Sequence, residues 1–326
     1  MNCEIEDKIF DLTPDGFTQH ALQLFEYQYK NNNVYHQYVN ALGRMPASVK
    51  NITDIPFLPV RFFKSHTVKT GNFIPEQVFE SSGTTTTINS NHYVKSLDLY
   101  RKSFRRGFEY FYGHPEEWCI IGLLPAYLER PNSSLVTMVD DLIQQSKHPM
   151  SGFYLYNYDE LAQTLQLLEA AGTKTLLIGV TFALLDFAAA HPMPLKHTVV
   201  METGGMKGRK REMIREEVHA LLQQAFQIQQ IHSEYGMSEL LSQGYSKGEG
   251  VFDTVPWMKV LVREMEDPLT VSLSGKGLIN VIDFANRDSC AFIATDDVGK
   301  LEENGSFEVN GRVDHSDLRG CSLLSV

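Results

Sequence analysis

The alternation of apolar runs with amphipathic segments between residues 116 and 239 constrains this chain more than any other feature. "EEWCIIGLLP" (116–125), "KTLLIGV" (174–180) and "HTVVMETGG" (197–205) are short and nearly continuously apolar, as strands buried on both faces are. Between and after them "SSLVTMVDDLIQQS" (133–146), "YDELAQTLQLLEAAG" (158–172), "FALLDFAAAH" (182–191) and "REMIREEVHALLQQAF" (211–226) read as helices, the second closed by a glycine. "IQQIHSEYGMSE" (228–239) reads as a strand entering a loop. Strands alternating with helices predict an α/β architecture with a largely parallel sheet. The run 175–190 carries Asp186 and is too short to span a bilayer comfortably, so it is read as a buried strand leading into a helix.

The texture changes after about residue 250. "VPWMKVLVREM", "TVSLSGKGLINVIDF", "SCAFIATDDVGKL" and "GSFEVNGRVDH" alternate at period two with turns between them, which predicts mainly antiparallel strands. Before the alternating region, residues 16–42 have helical spacing, interrupted at "NNN". The prolines of "ITDIPFLPVRFFKSHTV" favour extended chain over a long helix. The expected organisation is an α/β core over 1–250, a β-rich part of the same unit over 251–310, and a short tail over 311–326 that carries Cys321.

Composition excludes several functions. With 326 residues and a hydrophobic fraction of 43%, the chain can bury a sizeable core. The net charge of −11 argues against nucleic-acid binding, and the one dense basic patch, "KGRKRE" (207–212), is too short to change that. The N-terminus has no apolar stretch resembling a signal peptide, and no stable membrane insertion is expected. Four cysteines stand at 3, 119, 290 and 321 without metal-ligand spacing. A reducing cytoplasm is the simplest setting, with Cys119 and Cys290 as inert core thiols.

Four stretches carry chemistry. In "ESSGTTTTINS", Gly83 leaves room for phosphate oxygens to reach backbone N–H groups, and Ser81, Ser82, Thr84, Thr85 and Thr86 can donate further bonds. A strand before this run and a helix after it would make a phosphate cradle; the alternative is a solvated polar loop. In "SEYGMSE" (233–239), Tyr235 can stack on a purine and Glu239 can ligate a hard cation, although such a turn is often only a turn. The carboxylates of "ATDDVG" (294–299) suit ribose hydroxyls or a simple Asp-rich turn. "NGRVD" (310–314) is a hairpin turn followed by Arg312.

In this order the four stretches resemble the motifs of the adenylate-forming superfamily: a serine/threonine/glycine loop, then Tyr235-Gly236-Met237-Ser238-Glu239, then Thr295-Asp296-Asp297, then Gly311-Arg312-Val313-Asp314. "LLPAYLERPNSSLVTMVDDLI" (123–143), "IGVTFALLD" (178–186), "ETGGMKGR" (202–209), "YGMSELLSQGYS" (235–246) and "LRGCSLL" (318–324) narrow this. They are similar to the acyl-protein synthetase (LuxE-type) family, related to phenylacetate-CoA ligases.

That resemblance implies the large-domain fold of adenylate-forming enzymes, with ATP and Mg2+ used to turn a fatty or other acyl carboxylate into acyl-AMP. It implies phosphate contacts for Ser81–Thr86, a metal and catalytic role for Glu239, the adenine side for Tyr235 and Gly236, and backbone against adenine at Gly204 and Gly205. Asp297 would hold the ribose, and Arg312 the ribose or α-phosphate. Cys321 would accept the acyl group as a thioester and pass it to a partner reductase or other acceptor. The chain departs from the superfamily in two ways. No lysine follows the hydroxyl run, and too few residues follow Arg312 for the mobile C-terminal domain, which is therefore expected to be absent. An acyl- or aryl-CoA ligase and a catalytically inactive adenylate-binding scaffold are the alternative readings. The loop 126–134 is a candidate acyl-site lining, or only a helix cap provided by Ser133 or Ser134.

Overall fold

The computed structural model describes residues 9–81, 89–124, 132–155, 157–204 and 213–313. The asparagine run divides the N-terminal helical segment as its sequence predicts. Helix α1 (Phe17–Asn31) stops where Asn32 turns extended, and the Asn32 side chain accepts the Tyr35 amide to cap α2 (Asn33–Ala41). The proline-rich stretch then forms no long helix, only the 3-10 turn Ile52–Asp54, β1 (Leu58–Pro59) and the single turn α3 (Phe62–Ser65).

The hydroxyl run departs from expectation in its setting. It links β2 (Gln77–Glu80) to β3 (Asn91–Val94), which pair antiparallel in a sheet of their own with Glu80 opposite Asn91. A strand rather than a helix therefore follows the run. Helix α4 (Leu97–Tyr112) starts only after it, capped by Ser96, so its N-terminus does not directly close the loop. The reading from sequence failed because "NHYV" joins smoothly onto the amphipathic pattern that follows, and only pairing with β2 makes it a strand.

The alternating region folds as its periodicity dictates: β4 (Cys119–Leu123), α5 (Ser134–Ser146), β5 (Gly152–Phe153), α6 (Tyr158–Ala171), β6 (Thr175–Val180), α7 (Thr181–Ala190), β7 (Thr198–Thr203), α8 (Arg215–Phe226) and β8 (His232–Tyr235). Strands β5, β4, β6, β7 and β8 lie side by side in parallel. Gly172 closes α6 at φ 67°, and the Ser133 hydroxyl accepts the Val136 amide to cap α5. The antiparallel part follows as β9 (Gly244–Ser246), β10 (Val251–Thr254), β11 (Met258–Arg263), β12 (Val271–Ser272), β13 (Gly275–Asp283), β14 (Phe292–Leu301) and β15 (Phe307–Arg312). It extends the same sheet through β8–β9–β10–β15–β14–β13–β11–β12, with β1 pairing parallel to β14.

The central strands are buried on both faces because alternate side chains enter different cores. Cys119, Ile121, Leu123 and Leu177 pack with Leu161, Leu165, Leu184 and Leu222 of α6, α7 and α8. Ile120, Leu124, Leu176 and Ile178 pack with Tyr100, Phe104, Phe108 and Val139 of α4 and α5. Cys119 and Cys290 are free and buried, and burial pushes the Cys290 thiol up to about 12, which suits inert core residues. Among the described residues no helix is long and apolar enough to cross a membrane.

Candidate functional site

Parallel strands end in loops on one edge of the sheet, and β7 and β8 deliver the glutamates and glycines of the predicted motifs to that edge. Strand β8 carries Tyr235 to its end. The ring is 8% exposed, with Phe252 and Phe307 edge-on at centroid distances of 6.0 and 5.4 Å. Its hydroxyl donates to Asp297 Oδ2 at 2.9 Å. Asp297 on β14 lies directly opposite Arg312 on β15, whose Nε is 3.6 Å from Asp297 Oδ1. Three residues assigned from separate motifs therefore meet. Tyr235 has a role that the sequence does not announce: it orients the Asp297 carboxylate. Burial raises the pKa of Asp297, while the Arg312 charge and the Tyr235 hydroxyl oppose that rise.

Gly236 follows. A Cβ there would come within 2.3 Å of Glu234 Oε1, so the glycine makes room for the preceding carboxyl. Glu234 is buried and accepts the Thr203 hydroxyl from β7. Burial pushes its carboxyl up to about 7; the Thr203 bond opposes this and the neighbouring Glu202 adds to it.

Glu239 is 5% exposed. Burial raises its pKa; the Ser90 hydroxyl opposes this without closing a hydrogen bond of good geometry, and the charges of Arg312 and Lys64 oppose it more weakly. The backbone around Glu239 is pinned from three sides. Asn286 Nδ2 donates to the Glu239 carbonyl at 2.6 Å, and the Ser238 hydroxyl donates to the Glu80 carbonyl at 3.2 Å. His92 Nδ1 is 2.8 Å from the Ser238 carbonyl, which can only accept, so that nitrogen carries the proton. Burial pushes the His92 pKa down to about 4, keeping the ring neutral. His92 and Asn286 carry no motif, and nothing in the sequence singles them out.

At the mouth of the hydroxyl run, Ser81 N donates to the Ser90 carbonyl at 3.2 Å, and Ser90 N donates to Ser81 Oγ at 3.0 Å. Ser81 therefore clamps the base of the loop. Ser238 and His92 tie that base to the turn bearing Glu239. Ser82, Gly83, Thr84, Thr85, Thr86, Gly205, Cys321, the basic patch 207–212 and most of the loop 126–134 lie outside the described residues.

Gly204 ends β7 at φ +69°, a conformation that glycine adopts without strain. Its carbonyl accepts the Thr181 hydroxyl at 2.6 Å, and the same hydroxyl reaches Glu202 Oε2 at 2.9 Å. Glu202 Oε1 faces Arg215 Nε at 3.4 Å and His219 Nε2 at 3.7 Å, and Arg215 Nη1 donates to the Val309 carbonyl of β15. Burial alone would raise the Glu202 pKa, but these neighbours outweigh it and hold the carboxyl below its usual value. The Gly204 turn is thus braced to α7, α8 and β15.

Among the described residues no three His, Cys, Asp or Glu side chains cluster to cage a metal. A single buried carboxylate such as Glu239 fits Mg2+ nonetheless, because that ion is usually held by one or two carboxylates together with substrate phosphates.

The fold recurs in enzymes of known structure. 2-Hydroxyisobutyryl-CoA ligase in a postadenylation state, bound to an acyl-AMP, aligns with a TM-score of 0.65 at 11% identity, covering 94% of this chain and 70% of that one. ATP-bound MatB from Rhodopseudomonas palustris aligns with a TM-score of 0.55 at 14% identity, covering 72% of this chain. The match takes in 47% of the MatB chain, so this chain spans about half the length of that relative. At these identities the likeness is one of fold. No curated protein sequence matches the chain. The model of one family, described as "Acyl-protein synthetase, LuxE", matches residues 7–325, and the chain belongs to that family.

Proposed function

We propose that this protein is an AMP-forming acid–thiol ligase that activates an acyl carboxylate with ATP and transfers the acyl group to a protein thiol. The observation that carries this reading is the convergence of Tyr235, Asp297 and Arg312 beside the pinned turn of Glu239.

In the first step a carboxylate oxygen of the acid attacks the α-phosphorus of ATP. The bond to the bridging oxygen breaks, and pyrophosphate leaves with that electron pair. The protein's part is positioning and charge stabilisation. Asp297 accepts hydrogen bonds from the ribose hydroxyls, held in orientation by Tyr235. Arg312 contacts the ribose or the α-phosphate. The Gly204–Gly205 backbone lies against adenine with Tyr235 on the adenine side, and Ser81–Thr86 bind phosphate. Glu239 would hold Mg2+, which supplies charge neutralisation across the phosphates when bound.

In the second step the Cys321 thiolate attacks the acyl carbonyl carbon, and AMP leaves. A thioester then stands ready for a reductase or another acyl acceptor. Arg319, two residues away, favours ionisation of that thiol.

Incubation with ATP, Mg2+ and a panel of labelled fatty acids tests both steps. ATP–pyrophosphate exchange should depend on the acid and fall at least tenfold in Glu239→Gln. The wild-type protein should gain a hydroxylamine-sensitive label that Cys321→Ser lacks. Wild-type labelling of Cys321→Ser refutes the acyl-cysteine step, and transfer to added coenzyme A without labelling favours a CoA ligase. Absence of exchange with every acid refutes the adenylation step and favours a scaffold.

A further inference from the structure

The segment that carries Glu239 has little local support. It links β8 to β9 over residues 236–243 with no helix or strand of its own. Leu240 N donates to the Met237 carbonyl at 3.0 Å, and the Leu240 and Leu241 side chains are buried. Apolar burial is non-directional, so it anchors the segment without fixing the direction of its backbone. A carboxylate that is to hold a cation needs outer partners that keep it in place.

That support comes from one short turn at the end of β13. Asp283 closes β13 and is fully buried. Its Oδ2 accepts the Leu241 and Ser242 amides at 2.8 and 3.0 Å, and its Oδ1 accepts the Ser242 hydroxyl at 2.6 Å and the Ala285 amide at 3.1 Å. Further along the same turn, Asn286 Nδ2 donates to the Glu239 carbonyl at 2.6 Å. Asp283 and Asn286 thus grip the chain at Glu239 itself and just after it. None of these Asp283 partners is charged. A carboxylate buried among neutral groups must be held by hydrogen bonds, and here they converge on the segment behind Glu239.

The grip is itself braced on two sides. A carboxylate only accepts, so Ser242 donates to Asp283 and receives from Ser103 of α4 at 3.0 Å, and Ser103 accepts Trp257 Nε1 at 3.0 Å. Behind the turn, Gln28 of α1 donates to the Asn286 and Arg287 carbonyls at 3.2 and 2.8 Å and accepts the Ala291 amide at 2.9 Å. Asn32 and Thr70 donate to the Ser289 carbonyl at 2.9 and 2.6 Å. The segment 283–291 is therefore fixed to the N-terminal helices on one side and to Glu239 on the other.

We propose that Asp283 and Asn286 are positioning residues for the adenylation step, holding the Glu239 turn so that its carboxyl stays placed for Mg2+ and the nucleotide phosphates. The proposal rests on the adenylation reading and adds to it two residues that act only through Glu239.

The experiment compares wild type with Asp283→Ala, Asp283→Asn and Asn286→Ala, each also combined with Glu239→Gln. It measures the affinity for ATP with Mg2+ and for adenosine by calorimetry without any acid present, fatty-acid-dependent ATP–pyrophosphate exchange, and stability in urea. Asp283→Ala should bind ATP with Mg2+ about tenfold more weakly or worse, lose exchange to a similar extent, and bind adenosine as wild type does. Asp283→Asn keeps an oxygen for the Leu241 and Ser242 amides and should return to within about threefold of wild type. Asn286→Ala should show the same selectivity with a loss of about threefold or more. In the Glu239→Gln background each change should weaken ATP binding by less than about twofold, while its cost in stability persists. Parallel loss of ATP and adenosine affinity overturns the proposal, and so does a full further loss of ATP affinity in the Glu239→Gln background, because both mark a general loosening of the fold. If Asp283→Ala does not fold, Asn286→Ala decides by the same comparison. If wild type exchanges and the variants match it in ATP affinity, the positioning proposal falls and the adenylation reading stands. If wild type neither binds ATP nor exchanges, the adenylation reading falls and takes this proposal with it.

Discussion

Replacing Glu234 by glutamine should change how stability depends on pH. Glu234 is buried beneath the Tyr235–Gly236 turn and accepts the Thr203 hydroxyl, and its carboxyl titrates near 7 in the fold against an ordinary value of 4.5. The unfolded chain loses this proton first. Ionisation therefore shifts the equilibrium toward the unfolded state as pH rises from about 4.5 to about 7, and the contribution is level above that window. Combining the two titration curves gives a loss of about 0.8 kcal/mol at pH 5 and about 3.3 kcal/mol at pH 8. Glutamine keeps the size of the side chain and an acceptor for Thr203 but cannot ionise. Glu234→Gln should therefore gain about 2.5 kcal/mol relative to wild type between pH 5 and pH 8. Urea unfolding of both proteins at several pH values measures this difference. The other groups with shifted titration, among them Asp283 and Asp297 raised and His92 and His232 lowered, are common to both proteins and largely cancel. A stability difference that stays constant across this range would refute the assignment of a neutral, buried Glu234 below pH 7.

Two further outcomes follow from the same corner of the fold. Tyr235→Phe removes the 2.9 Å bond to Asp297 and leaves a buried carboxylate short of a donor, so it should lower stability by about 2 kcal/mol and weaken ATP binding, read by urea unfolding and by titration calorimetry. Gly236→Ala places a methyl group within 2.3 Å of the Glu234 carboxyl, and should destabilise by about 2 kcal/mol; combined with Glu234→Ala it should recover part of that loss, a coupling a double-mutant cycle measures.

The apolar runs at 116–125, 174–180 and 197–205 declared themselves as strands because burial on both faces makes them almost continuously apolar, with Glu202 and a few threonines as the buried polar exceptions. Asn32, Ser133 and Gly172 marked helix ends through local chemistry that acts within a few residues. The order of the four motifs was legible for the same reason, since each motif is contiguous. Strand β3 was not, because "NHYV" becomes a strand only by pairing with β2 across the hydroxyl run.

What the sequence determined by itself was therefore the α/β pattern, the antiparallel segment after residue 250, and a list of candidate residues. Only the tertiary structure decided how those residues meet. Tyr235 and Asp297 are 62 positions apart, and Ser238 and Glu80 are 158 apart. The Glu202 brace joins α7, α8 and β15, and His92 and Asn286 enter the site through contacts that no local pattern encodes. The physical reason is range. Periodicity, capping and turn chemistry act within a few residues, whereas hydrogen bonds and charge pairs that build a site act through space between segments brought together only when the two cores close on the sheet.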